Sequence, residues 1–205
     1  MVLLPRIPAS AGALVWDRKG RLLILKPTYK SGWTIPGGIV EADGETPWEA
    51  CRRETREECG LDLRRGELVC VDFLRPRPGR PGGMRFLFNC GTFDRATLAG
   101  IVVQEEEISE YRLARIDRAL RLFSGPIRRR VAAATSKPGR LHYLEDGAGS
   151  ASRDGASGRQ LNLRIGGVVQ RELELSHRDR HGGLAERDLA DVQRPVELLH
   201  DIATV

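Results

Sequence analysis

Apolar positions fall in short blocks along the first two thirds of the chain. "GALVW" and "RLLILK" are runs rich in aliphatic residues, split by "DRKG", and predict two strands joined as a hairpin. "GWTIPGG" follows, punctuated by its glycines and proline. "LVCVDFL" and "MRFLFNCGTF" predict two more strands, with the Pro- and Gly-rich "RPRPGRPGG" as the loop between them. "EEEISEYRLA" reads as a loop entering a strand. "RIDRALRLF" and "IRRRVAAAT" read as helices split by "SGP", and "LHYLED" as a last strand.

The firmest element lies between these strands. Thr46-Pro47-Trp48-Glu49 has the form of a helix start: Thr46 can N-cap, Pro47 suits the first helical position and Glu49 completes a capping box. Gly60 is a natural C-cap. At about 100° per residue, Trp48, Cys51, Thr55 and Cys59 form one stripe, expected to face the core. Glu54, Glu57 and Glu58 share a flank roughly a quarter-turn away, with Arg53 on the far side of that cluster. Like charges at this spacing repel. Such a flank is either a solvated charged face or a site waiting for a cation. The preceding "PGG" favours the second, because it offers backbone carbonyls and close approach. Mg²⁺ takes oxygen ligands and bridges carboxylates to phosphates.

From Gly147 the character changes. "GAGSASRDGASGRQ" is a flexible linker by composition, and the residues beyond it include no aromatic. The expected organisation is one domain over residues 1–146, then a linker and a disordered or weakly helical tail over residues 147–205. The whole chain of 205 residues, 40% of them hydrophobic, suits one compact core.

Charge and cysteine usage narrow the class. Net charge is +5, of which residues 1–146 hold +6 and the remainder −1. Mild basicity suits anionic ligands such as phosphates and is thin support for nucleic acid. No apolar run approaches the ~18 residues of a membrane span. "MVLLPRIPAS" reads as a strand lead-in and not a signal peptide. Cys51, Cys59, Cys70 and Cys90 form no C-x-x-C pair, so reduced thiols in a cytoplasmic protein are expected. The four histidines are scattered and take no role.

Residues 37–61, "GGIVEADGETPWEACRRETREECGL", resemble the Nudix box, G-x5-E-x7-R-E-U-x-E-E-x-G-U. Glu45, Arg53, Glu54, Thr55, Glu57, Glu58, Gly60 and Leu61 match its second half in register. There are two departures. Gly38 to Glu45 is one residue longer than the pattern, and Thr55 stands where an aliphatic residue is usual. The first puts the placement of the Gly38 carbonyl and of Glu45 in question. The second is tolerable if the Thr55 hydroxyl bonds back within the helix.

The resemblance implies an α/β fold, a Nudix-type α/β/α sandwich around a mixed β-sheet. It implies Mg²⁺- or Mn²⁺-dependent hydrolysis of a nucleoside diphosphate linked to some moiety X. Glu54, Glu57 and Glu58, with the Gly38 carbonyl, would hold the metal. Arg53 would orient a helix glutamate and Glu45 would support the loop–helix junction. The catalytic set would be Glu57, Arg53 and a glutamate from across the site. "QEEEISEY" offers Glu105, Glu106, Glu107 and Glu110, of which Glu107 is preferred. Arg75, Arg77 and Arg85, on or beside the inter-strand loop, could pair with phosphate in a forked geometry. Trp33, like Trp16 and Tyr29, could stack on a base or pack in the core. The expected partner is a small nucleotide, with no membrane, no nucleic acid, and room for a homodimer. Two other readings stay open: a non-catalytic nucleotide-binding module on the same fold, and an RNA end-processing hydrolase, which would need a broad basic surface.

Overall fold

The computed structural model describes residues 6–149. The expected tail and nearly all of the expected linker, residues 150–205, lie outside the described residues. So do residues 1–5 of the expected lead-in.

The predicted hairpin is present as β1 (Ala9–Asp17) and β2 (Arg21–Pro27). Its turn is held by Asp17, whose Oδ1 accepts the N–H groups of Lys19 and Arg21 at 2.9 and 2.8 Å. Gly20 takes φ 69° there, which glycine adopts without strain. β4 (Glu67–Leu74) and β5 (Gly83–Phe93) flank the predicted Pro/Gly loop. β6 (Ile108–Arg115) follows the acidic turn, and α3 (Ile116–Leu122) and α4 (Gly125–Ser136) are the two helices split at "SGP". β7 (His142–Glu145) is the last predicted strand.

Three short elements went unread in the sequence: β3 (Gly37–Ile39), α2 (Arg95–Ala99) and β8 (Ala148–Gly149). β8 pairs back on β7, so the first residues of the expected linker belong to the sheet.

Among the described residues the strands make one mixed sheet in the order β6-β2-β1-β5-β4-β7-β8, with β3 beside β1. β1–β5 and β4–β7 are parallel, and the other pairs antiparallel. Both faces are covered, so the buried strands carry apolar residues at consecutive positions. Ala11, Ala13, Val15, Leu23 and Leu25 pack under α1 (Pro47–Cys59). Leu14, Leu22, Ile24, Trp33 and Ile35 pack with Ile127 and Val131 of α4 and Ala119 of α3. The result is the three-layer α/β/α sandwich. Cys51, Cys59, Cys70 and Cys90 are all buried. No helix among the described residues is long and apolar enough to cross a membrane.

Candidate active site

α1 begins as its sequence dictates. Thr46 Oγ1 accepts from Glu49 N at 3.2 Å, and Glu49 Oε2 accepts from Thr46 N at 2.8 Å, with Pro47 in the first turn. Gly60 closes the helix at φ 69°. The core stripe holds Ala50, Cys51, Thr55 and Cys59, and Trp48 stacks in a tilted arrangement on Phe88 at 5.3 Å. Thr55 donates from Oγ1 to Cys51 O at 2.7 Å, so its hydroxyl is satisfied while its methyl packs.

The three glutamates do not share one environment. Glu57 is half exposed. Glu54 is mostly shielded, and Glu58 is buried at 6% exposure. Glu58 Oε2 accepts the Gly37 N–H at 2.7 Å, which turns it inward toward β3. Burial, reinforced by the charges of Glu54 and Glu107, pushes its carboxyl up to about 8, against the pull of the Gly37 N–H and of Lys30. Glu54 is also raised, first by desolvation and then by Glu57 and Glu107, although Arg53 opposes this.

Arg53 sits among these acids and not beyond them. Nε donates to Glu45 Oε1 at 2.8 Å, Nη1 to Glu54 Oε1 at 2.9 Å and to Glu57 Oε2 at 3.1 Å, and Nη2 to Ile39 O at 2.9 Å. One planar guanidinium thus ties helix, strand and loop together, which a lysine could not do. The hydrogen bond to Arg53 holds Glu45 below the usual carboxylate range, and the same bond raises Arg53.

The extra residue between Gly38 and Glu45 is absorbed in the turn. Asp43 Oδ1 accepts from Glu45 N at 3.0 Å, Glu45 Oε2 accepts from Glu41 N at 2.9 Å, and Gly44 takes φ 100°. Glu45 still reaches Arg53, and Gly38 still lies against the helix: a Cβ on Gly38 would stand 2.3 Å from the Glu54 carboxylate.

Glu107 enters from the far side. Its carbonyl accepts from Thr28 N at 2.8 Å and its N–H donates to Gln104 O at 3.0 Å, while Gln104 N donates to Glu58 O at 3.2 Å. The acidic turn is therefore fastened to both the helix end and the β2–β3 connection. Glu107 is the acid of that turn whose charge bears on Glu54, Glu58 and Tyr29.

The NUDIX domain family model matches residues 6–134, well over half of the chain. The chain belongs to the Nudix family.

As a Nudix protein it resembles solved structures in fold. The MutT protein from Methanosarcina mazei Go1 aligns with TM-score 0.52 at 23% identity, over 62% of this chain and 91% of that one. A UDP-X diphosphatase aligns with TM-score 0.53 at 18% identity, over 70% of this chain and 69% of the other. In sequence, an RNA pyrophosphohydrolase of Marinomonas sp. is 35% identical over 60 residues, 29% of this chain and 37% of the relative. A MutT-like protein of Streptomyces ambofaciens is 36% identical over 67 residues, 33% of this chain and 43% of the relative. The matched stretch thus spans about two fifths of those relatives' length.

The other sequence-predicted residues of this Nudix chain are engaged with other partners. Arg75 is ion-paired with Glu145 and with Asp146, the latter at 2.8 Å, and Arg77 lies 3.7 Å from Asp146. Both bind the end of β7 and are not presented as open phosphate forks. Trp33 is 8% exposed in the core, and the Arg112 guanidinium covers its ring at 4.6 Å from the centroid, so it offers no open stacking face. Arg85 is buried in the sheet and donates to Met84 O and Gly82 O at 3.1 and 3.3 Å.

Two neighbours of the carboxylates were not singled out as site residues. Tyr29, weighed only as a stacking ring, has its hydroxyl raised to about 12 by desolvation and by Glu58, Glu107 and Glu54. Lys30 went unread; its ammonium is lowered to about 8 by desolvation, with Glu58 opposing and Arg130 assisting. "PTYKSG" carries no local pattern that marks either as a site residue.

The donor chemistry fits a hard dication: the Glu54 carboxylate lies against Gly38, and burial first, then the charges of neighbouring glutamates, raises Glu54 and Glu58. Among the described residues no three His, Cys, Asp or Glu side chains stand together as a group that could hold a metal ion. Arg53 draws Glu54 and Glu57 to itself, and Gly37 holds Glu58.

Proposed function

We propose that this chain is a pyrophosphohydrolase that cleaves a diphosphate linkage in a nucleoside diphosphate derivative by attack of water on phosphorus. The observation that carries this reading is the four-way grip of Arg53 on Glu45, Glu54, Glu57 and Ile39 O. It fixes a set of carboxylates that repel each other and that a cation would satisfy.

Glu54, Glu57, Glu58 and the Gly38 carbonyl would hold Mg²⁺ or Mn²⁺. When bound, such a cation neutralises the diphosphate and lowers the pKa of the attacking water. The chain's own residues do the rest. Glu107 accepts the proton that leaves the attacking water, from a turn anchored at Thr28 and Gln104. Arg53 keeps Glu54 and Glu57 in place, and Glu45 keeps Arg53 in place. Lys30, held near Glu58, offers a cation to the leaving phosphate. The four buried cysteines suit a reducing, cytoplasmic setting.

The relative named RNA pyrophosphohydrolase supports a second substrate class, an RNA carrying a pyrophosphate bond. The test is a screen with Mg²⁺ over nucleoside triphosphates, ADP-ribose, nucleotide sugars and 5′-triphosphorylated RNA, run on wild type and on Glu57→Gln. We expect hydrolysis of at least one class, reduced by several orders of magnitude in the variant. A wild type inert on every class would move the binding-module reading ahead.

A further inference from the structure

The β2–β3 connection is pinned at both ends. Thr28 is bonded twice to the acidic turn, from N to Glu107 O at 2.8 Å and from Oγ1 to Glu106 O at 2.8 Å. At the other end Trp33 N donates to Leu122 O at 3.3 Å. Residues 29–32 bridge these anchors, so Tyr29 stands one residue from the contact that fixes Glu107. The charges of Glu58, Glu107 and Glu54 all bear on its hydroxyl. Its side chain therefore lies beside the carboxylates, on a backbone that is already held.

Two aromatic side chains are exposed among the described residues, Tyr29 at 48% and Tyr143 at 47%. Tyr143 belongs to β7, toward the opposite edge of the sheet from β2. The tryptophans are taken up elsewhere. Trp33 lies under the Arg112 guanidinium, Trp48 packs on Phe88, and Trp16 donates from Nε1 to Asn89 Oδ1 at 3.0 Å. Tyr29 is thus the aromatic that is both open to solvent and next to the carboxylates.

Lys30 Nζ lies 5.1 Å from the centroid of the Tyr29 ring, and this cation–π contact steadies the ring. About half of the side chain stays open all the same. A nucleotide has two chemically different parts. Its phosphates suit a cation held by Glu54, Glu57 and Glu58, and the Lys30 ammonium. Its base is flat and stacks on an aromatic face. Stacking reads no pattern of donors and acceptors, because every base has such a face.

We propose that Tyr29 is the platform on which the base of the substrate stacks. This rests on the nucleotide reading above and names how the base is held. It is held by its flat face, with purines favoured through their larger ring system and no reading of the base edge. Tyr29→Leu is the sharpest probe, because it keeps an apolar side chain and removes the aromatic face. Tyr29→Phe keeps that face and removes only the hydroxyl. Tyr29→Trp enlarges the face and carries the test if Tyr29→Leu does not fold.

The full chain, wild type and variants, is assayed with Mg²⁺ on its best nucleotide substrate. It is also titrated in EDTA with the four nucleoside monophosphates and with ribose 5-phosphate, which has no base. Melting temperatures are recorded alongside. In Tyr29→Leu we expect KM to rise about tenfold or more, with a smaller loss in kcat. Monophosphate affinity should fall by a similar factor, the purine preference should narrow, and ribose 5-phosphate affinity should not follow. Tyr29→Phe should recover most of the loss, and Tyr29→Trp should bind the monophosphates at least as tightly as wild type. Equal losses in Tyr29→Phe and Tyr29→Leu would assign the contact to the hydroxyl and overturn the inference. A parallel loss of ribose 5-phosphate, or weaker monophosphate binding by Tyr29→Trp, would overturn it as well. A wild type that hydrolyses nucleotides, with Tyr29→Leu at the wild-type KM, sinks only this inference. A wild type that neither binds nor hydrolyses any nucleotide sinks both readings.

Discussion

Arg53 and Glu45, eight residues apart, meet in a two-point contact, Nε to Oε1 at 2.8 Å and Nη2 to Oε2 at 3.1 Å. Arg53 also donates to Ile39 O, so it holds the chain on both sides of the turn that carries the extra residue. Forked pairing of this kind fixes orientation as well as distance. It lets a single guanidinium point its remaining N–H groups at Glu54, Glu57 and Ile39 O.

Arg53→Lys should therefore lower kcat about 100-fold, since misplacing a positioned group by ~1 Å costs that order. The apparent Mg²⁺ affinity should fall with it. The fold should survive, because the core stripe of α1 is untouched. Steady-state kinetics with a Mg²⁺ titration would measure this. Turnover within a few-fold of wild type would show that Arg53 only braces the turn.

The acidic turn offers a contrast within three residues. Glu107 bears on Glu54 and Glu58, whereas Glu106 serves through its backbone carbonyl, which accepts from Thr28 Oγ1 at 2.8 Å. Glu107→Gln is expected to cost on the order of 10²–10⁴ in kcat, the usual worth of a positioned base. Glu106→Gln keeps the carbonyl and should stay within a few-fold of wild type. Equal effects from the two would assign the turn a general electrostatic role instead.

Glu58 gives the metal-free protein a pH dependence. Its carboxyl is raised in the fold, from an ordinary 4.5 to about 8, because burial penalises the charged form. Between those values the folded state holds a proton that the unfolded state has released. Stability from this group is full below pH ~4.5 and is lost as pH rises toward ~8. In EDTA the melting temperature should fall over that window. Glu58→Gln should flatten that part of the curve, and Mg²⁺ should restore more stability at pH 8 than at pH 5. A wild-type curve parallel to that of the variant would argue that Glu58 is ionised throughout.

Much of this architecture was legible because local rules agreed. Thr46, Pro47, Glu49 and Gly60 fix both ends of α1, and the stripe of Cys51, Thr55 and Cys59 fixes its buried face. The long strands were legible through their aliphatic runs. β3 was not, because three residues of "GGI" carry no period, and its strand character comes from pairing with Ser10–Gly12. The partners that Arg75, Arg77 and Trp33 have in the structure were hidden for a related reason. A loop arginine reads the same whether it meets phosphate or Asp146, and a tryptophan reads the same whether it meets a base or Arg112. The burial of Glu58 was equally hidden, since it depends on the Gly37 N–H that only β3 brings near.

Gly37 and Gly38 are adjacent, yet the fold uses them differently, and that difference can be measured. Gly37 sits at φ 142°, and a Cβ there would stand 2.2 Å from the backbone oxygen of Ala11. Nothing can yield but the strand, so Gly37→Ala should destabilise the fold by at least ~2 kcal/mol and lower Tm by roughly 5 °C or more. Gly38 has no such backbone constraint. The nearest atoms that a Cβ there would meet belong to the Glu54 carboxylate, 2.3 Å away. That carboxylate is the far end of a flexible side chain and can swing aside. Gly38→Ala should therefore melt within about 2 °C of wild type, because a side chain and not the backbone gives way. It should still lose Mg²⁺ affinity and turnover, because Glu54 is displaced from its place beside Arg53. Calorimetric melts with and without Mg²⁺, paired with kinetics, would separate the two glycines. Full activity in Gly38→Ala would mean that Glu54 need not approach the β3 backbone, and the metal set would lose that member.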